Sequence, residues 1–344
     1  MNRAALQAAN SNRYEYGRKL RIGFFLFMAL LMQLAFVISY TGAMHGPQRP
    51  HRMPVGVVAP APVVEELQKT SDQAGPLFTL MPEPGAAEAE HAVQHRDVLG
   101  AYVPATAGTV DELLVTTALG PAAPQAMQLA FTQAAQAQQH TLRLRDVVPP
   151  HRGDPSGLVP FYLVIAWTVG GYLASTLVGL MAGMKSSSPG VALERIGLLA
   201  GYSVLGGIGG TLIVHTIMGF LGGSWWLQAL IGTLVVFAVS VFANGLQTFL
   251  GLIGTGIGIA IFVILGNPSA AGPWPRNMIP TFWREIGPWL PNFQGTNAVR
   301  GVAYFHSQGL GTAIWVLAAY AAVGVVLSVL GAGRDNAVLR LSEH

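Results

Sequence analysis

The chain has 344 residues, of which 10% are charged and 51% hydrophobic, with a mean hydropathy of +0.46 and a formal net charge of +3. Soluble domains carry closer to about 25% charged residues, and no Asp, Glu, Lys or Arg lies between Arg195 and Arg276. The composition therefore excludes a soluble globular protein and points to a polytopic membrane protein. Cysteine is absent, which excludes disulfides, Cys-ligated zinc, iron–sulfur sites and thiol catalysis. The basic residues cluster beside apolar runs, so the pI near 9.3 reflects topology rather than a nucleic-acid partner.

Residues 1–21 hold Arg3, Arg13, Arg18, Lys19 and Arg21. They read as a cytoplasmic, amphipathic N-terminal segment under the positive-inside rule. The apolar run 22–44 follows as the first transmembrane helix. A signal peptide is the rival reading, but the run is longer than a typical h-region and no clean small-x-small cleavage site follows it.

Residues 45–158 are expected to form a small extracytoplasmic α/β domain. After the linker HGPQRPHRMP, the segments MPVGVVAP, PLFTLMP, VLGAYVP, ELLVTTAL and TLRLRDVVP read as strands. PVVEELQK, EAEHAVQHRD and PQAMQLAFTQAAQAQQH read as helices; strands alternating with helices argue for an α/β layer structure. His91 and His95 share a helix face beside Glu88 and Glu90, a spacing compatible with zinc, though a solvated polar face explains them better. Neither HExxH nor a GxSxG elbow occurs. Asp154, in GDPSG, reads as a turn residue capping the next helix.

Residues 159–332 are expected to form a five-helix membrane domain with spans at 159–184, 196–220, 226–244, 248–265 and 311–330. The connector KSSSPGVALER, with Lys185 and Arg195, and the tail 333–344, with Arg334 and Arg340, become cytoplasmic together with the N-terminus. The weak point is Leu227–Leu265, where an unbroken helix of about 39 residues would be near 58 Å long, about twice a bilayer. Asn244-Gly245-Leu246-Gln247-Thr248 is expected to make the turn. Gly179/Gly183 and Gly206/Gly210 form GxxxG pairs, suited to helix packing within the chain or to a homodimer face. Gly254–Gly258, GxGxG, follows no soluble strand and is not a nucleotide loop. His215 and Asn244 are intramembrane polar candidates, His215 being the ionisable one deep in a span; no span carries an acidic residue, which counts against a proton-coupled carrier. No Walker A sequence occurs.

Between the last two spans, Gly266–Phe305 carries six prolines and three tryptophans. It is too polar to span and too aromatic to be an idle linker, so an external hairpin is expected over 267–310. Trp274, Trp283 and Trp289 are placed at headgroup depth. Arg276, Arg284 and Arg300 either attract an anionic headgroup or, the preferred reading, anchor the hairpin.

The order of span, external domain, four clustered spans, proline-aromatic segment and last span resembles the ABC-2 type permease superfamily, nearest its YhgE/Pip-like and DUF3533-like branches of Gram-positive and actinobacterial membranes. The resemblance rests on GDPSGLVPFY (Gly153–Tyr162), LGNPSAAG (Leu265–Gly272), MIPTFWREIGPWLP (Met278–Pro291) and NAVRGVAYF (Asn297–Phe305). The short external domain departs from relatives that carry a long coiled insert. The resemblance implies that Lys185–Gly197 is the cytoplasmic elbow contacting an ATPase, through Lys185, Glu194 and Arg195. It also implies that the segment before the last span dips into the membrane as an external lid formed by Trp274, Arg276, Trp283, Arg284, Trp289 and Arg300.

The expected function is a homodimeric permease subunit in the plasma membrane that exports an amphipathic or lipid-like envelope molecule with a separate ATPase. The alternative is a non-transporting envelope scaffold or surface receptor, of the kind phages attach to. Catalytic, metal and cofactor-binding residues are expected to be none, and the chain is not expected to be an enzyme. The partners expected are the lipid bilayer, a second copy, and the ATPase or an envelope protein, with no nucleic acid.

Overall fold

The computed structural model describes residues 3–43 and 49–333. Arg334 and Arg340 of the expected tail, and residues 44–48 of the linker, lie outside them. The chain divides into two compact units, the N-terminal helix and the remainder. The first is α1 (Arg3–Ala43), whose stretch from Arg18 onward is long and apolar enough to cross a membrane.

The second unit opens with β1 (Met53–Val58), α2 (Ala61–Ala74), β2 (Phe78–Glu83), α3 (Ala86–His95), β3 (Gly100–Val103), β4 (Val110–Thr116), α4 (Ala122–Ala137) and β5 (Thr141–Val148). All eight segments expected between residues 45 and 158 are present in order. The strands form one mixed sheet in the order β2-β1-β3-β4-β5, parallel except for β3 against β4. Alternation along the strands fills both faces. Tyr102, Leu113 and Val115 pack with Met53, Val55, Val64 and Met127 on one side, while Ala101 and Leu114 meet Ala89, Ala92 and Val93 of α3 on the other. At the sheet's far end, buried Asp111 accepts from Tyr102 Oη, from the Ala105 N–H at 2.9 Å and from His140 Nδ1 at 2.9 Å. Burial alone would push its pKa up, but these donors outweigh it and hold the carboxyl below the usual range.

Five more apolar helices of membrane-crossing length follow, making six candidate spans among the described residues. They are α5 (Val159–Ala182); α6 (Pro189–Thr211), continued by a π-helical stretch Leu212–Ile217; α7 (Trp225–Leu250); α8 (Leu252–Ile259), continued by a π-helical stretch Ala260–Leu265 and α9 (Gly266–Ser269); and α12 (Leu310–Gly331). Between the last two lie α10 (Thr281–Ile286) and α11 (Pro291–Tyr304), with single 3-10 turns around them. The protein is thus mostly helical, with a small mixed sheet.

The most enclosed of the spans is α7, packed on α5, α6, α11 and α12. Two of its buried amides reach neighbouring helices. Asn244 donates to Ser328 Oγ at 2.9 Å, and Gln247 bonds Ser175 at 3.1 Å. The expected turn at Asn244–Thr248 is therefore displaced, because those residues are buried inside α7. The chain reverses at Gly251 instead, with φ 62° and ψ −135°, a backbone conformation open to glycine alone. The chain beyond it doubles back so tightly that a Cβ on Gly254 would lie 2.1 Å from the Leu246 carbonyl oxygen.

The GxxxG glycines mostly serve packing inside the chain. Gly206 abuts Val236, Gly210 abuts Trp167, and Gly179 abuts Gln247 and Met184. Trp167 Nε1 donates to the Gly206 carbonyl at 3.0 Å.

Candidate functional site at the junction of sheet and helices

The sheet domain meets the helices at the end where α5, α7 and α12 begin. The segment after α9 makes that junction. Its first part leaves the helices and enters the sheet domain. Met278 is buried in the same core as Val55 and Met127, with Trp274 packed against it. Asn277 clasps the strand entrance: the His51 N–H donates to its carbonyl at 2.8 Å, and its Nδ2 lies 3.2 Å from the His51 and Arg52 carbonyls. Trp274 therefore packs on the sheet domain. Trp283 is half-buried and Trp289 exposed.

Arg276 and Arg284 hold the segment to itself. Arg276 Nε donates to the Arg284 carbonyl at 2.9 Å, Arg284 reaches Thr281 at 3.1 Å, and both arginines flank Glu285.

The second part turns back. α11 packs among the apolar helices α5, α7 and α12. Gly295 presses on Val164 of α5 and Val235 of α7. Val235 lies about ten residues along α7, or about 15 Å at 1.5 Å per residue. The donor groups of the polar residues on α11 find oxygens locally, while Asn292 Oδ1 and Gln294 Oε1 are buried without a partner. Asn292 Nδ2 donates to the Phe262 carbonyl at 3.1 Å, inside a π-helical stretch where backbone bonding is out of register, and to Asn267 Oδ1 at 2.7 Å. Thr296 donates to the Asn292 carbonyl at 2.8 Å.

Arg300, on α11, is 4% exposed. It donates to the carbonyls of Ala271 at 2.6 Å, Gly272 at 2.8 Å and Gly157 at 3.2 Å. It thereby ties LGNPSAAG to GDPSG, two of the stretches singled out in the sequence. Asp154, also buried, accepts from the N–H groups of Leu158 at 3.0 Å and Val159 at 2.9 Å and so caps α5, as its sequence context predicts. Its Oδ2 also meets Tyr304 Oη at 3.3 Å.

Arg96 was not singled out in the sequence. It ends α3 in the left-handed conformation, φ 68°, and reaches across to α11. There it donates to Asn297 Oδ1 and lies over the Phe305 ring, 5.0 Å from its centroid. Nothing in EAEHAVQHRD sets this arginine apart, because its partners stand about two hundred residues away.

Beside this junction an open cavity of about 590 Å³ is lined by Gln94, His151, Arg152, Tyr304 and His306 among others.

The remaining sequence candidates lie elsewhere. His215 is half-buried in the first π-helical stretch, its Nδ1 3.2 Å from Gln228 Oε1. At the opposite end of the helices, Arg195 is 4% exposed and donates to the carbonyls of Gly183 at 2.9 Å and Ala182 at 2.6 Å. Its charge caps the last turn of α5 from within, while Lys185 and Glu194 face outward. His91 and His95 stack with ring centroids 3.7 Å apart, and His95 Nδ1 sits 2.9 Å from the His91 carbonyl. Among the described residues no group of three or more His, Asp or Glu is placed to hold a metal.

The chain matches no family model, no curated protein and no solved structure.

Proposed function

We propose that this chain is an ABC-2-like permease subunit, exporting an amphipathic or lipid-like envelope molecule with energy from a separate ATPase. The observation that carries this reading is the placement of α11. A short polar helix wedged among α5, α7 and α12, directly before the last span, links the sheet domain to the path-forming helices. Movement of the helices would then be felt at the junction, and the reverse. In this reading the sheet domain lies outside, both termini and the Gly183–Ser188 turn lie in the cytoplasm, and the chain carries no cofactor and catalyses no reaction itself. Two copies would pair, and Gly197 and Gly201 on α6, which meet no atom within 4 Å of an added Cβ, are free for such close packing.

The elbow is the place to test it. Lys185 and Glu194 are exposed, so charge reversal at both should release an ATPase that co-purifies with the wild-type chain, leaving thermal stability unchanged. A preparation from native membranes that contains no ATPase would sink the permease reading. The absence of cysteine makes orientation directly measurable. Gln136→Cys should react with an impermeant maleimide on intact cells and Lys185→Cys only after lysis; the reverse pattern overturns the topology.

A second reading, an envelope scaffold or receptor, is favoured by one observation. The sheet domain carries a groove of about 530 Å³ lined by Phe78, Leu129, Trp274 and Met278 among others. An envelope protein captured there, with no ATPase bound, would select it.

A further inference from the structure

A small cavity lies where α3, the segment after α9 and α11 converge. It has a volume of about 140 Å³ and is lined by Arg96, Arg276, Asn277, Thr296, Asn297 and Arg300, with apolar residues completing the wall and no Asp or Glu among them. At about 30 Å³ per water, it has room for about four waters or one tetrahedral oxyanion.

The charge balance there is unusual. Arg300 is buried and Arg96 half-buried, and neither forms an ion pair with a described residue. Burial lowers the pKa of Arg96 to about 10, and burial together with the Arg96 charge lowers that of Arg300 to about 10, so both are charged at neutral pH. The carboxylate that bears on Arg300 is Asp154, which offsets its charge in part but forms no ion pair with it, its oxygens accepting from the Leu158 and Val159 N–H groups and Tyr304. The three carbonyls that Arg300 holds carry only partial charge. Its Nε is buried with no partner. Two like charges drawn partly or wholly from water with no carboxylate in contact are costly, and an arginine held in a left-handed conformation at Arg96, where glycine would be relaxed, adds strain for the sake of its side chain.

We propose that this cavity is an anion site in which Arg96 and Arg300, aided by the Asn297 side chain, bind one phosphate-type oxyanion. Guanidinium groups suit such a ligand because their planar N–H fork matches its oxygens. The oxyanion is either free phosphate or the phosphate of a lipid headgroup entering where the sheet domain meets the helices. Binding requires neither export nor an ATPase, so the site stands or falls separately from the permease reading.

The test uses the full-length, delipidated protein in detergent with inorganic phosphate as probe. Phosphate should raise the Tm saturably above a chloride control of equal ionic strength. Arg96→Gln should weaken the apparent affinity about tenfold or more, and Arg96→Lys should recover part of it. Nanodiscs then separate the sources. A higher Tm in phosphatidylglycerol than in phosphatidylcholine discs, with one phosphatidylglycerol retained per chain in native mass spectrometry and lost in Arg96→Gln, assigns a lipid phosphate. Equal Tm in the two discs, with the phosphate response intact, assigns the free anion. No stabilisation by phosphate or phosphatidylglycerol, or a response unchanged in Arg96→Gln, overturns the site. Should Arg96→Gln fail to fold, equilibrium dialysis of the wild-type protein against radiolabelled phosphate decides: about one bound per chain supports the site, and less than a tenth overturns it.

Discussion

Each end of the helix bundle is closed by a buried arginine that donates to backbone carbonyls, yet the two ends differ in what surrounds that arginine. Arg195 caps α5 by itself at a thin end made of the short Gly183–Ser188 turn and the single-glycine reversal at Gly251. Arg300 sits at the thick end, bridging two separate chain segments to a sunken helix beneath a folded domain, with Arg96 as a second charge close by. The same chemistry, a guanidinium satisfying carbonyls that a helix or turn leaves without partners, is local trim at one end. At the other it is the fastening between domain and membrane helices.

The sharpest way to break this comparison is to remove each arginine in turn. Arg300→Met should cost about 3–5 kcal/mol, since it strands three carbonyls and unties two segments, and thermal unfolding in detergent should show the largest loss of Tm among these variants. Arg195→Met should cost about 2–3 kcal/mol; equal losses would show that the two ends are equivalent pins. Gly251→Ala tests whether the thin end depends on backbone geometry more than on Arg195. Its positive φ and tight reversal predict a cost of about 1–3 kcal/mol, read from the same melts.

Acid should act on the thick end first. The pKa of Asp111 is depressed in the folded state, so its contribution is full above the unfolded value of about 3.9 and is lost as pH falls through the lower folded value. The Tm of the wild type should therefore decline below about pH 4, and Asp111→Asn should start lower with a flatter profile over that range; parallel profiles would remove Asp111 from the account. The smallest effect is expected at exposed Lys185. Lys185→Glu should change stability by no more than about 0.5 kcal/mol, so any loss of a bound partner there would be a surface effect.

The two regions were also unequally legible in the sequence. In the sheet domain every strand and helix could be read in order, because water on the outside enforces alternation of buried and exposed residues, and Pro and Gly punctuate the ends. Among the membrane helices the same rules mislead. Asn244-Gly245 reads as a turn in water, but in an apolar surrounding Asn244 finds Ser328 and Gly245 nests against Gly324, so the helix continues. Asn292, Gln294 and Thr296 make α11 look external, while each bonds a carbonyl within reach. The π-helical stretches and the pairing of Arg96 with α11 leave no local trace, since each depends on partners distant in sequence. The burial of Arg300 likewise depends on Gly157, Ala271 and Gly272, far from it in sequence.

The polar side chains of α7 also bear on how the chain is made. Gln247 meets Ser175, which has left the ribosome before it, but Asn244 must wait for Ser328, 84 residues later. At about 5–20 residues per second, that is a delay of about 4–17 s during which α7 carries an amide whose final partner has yet to be synthesised. The helix at the centre of the bundle is thus assembled in two stages, held first by α5 and α6 and sealed only when α12 arrives.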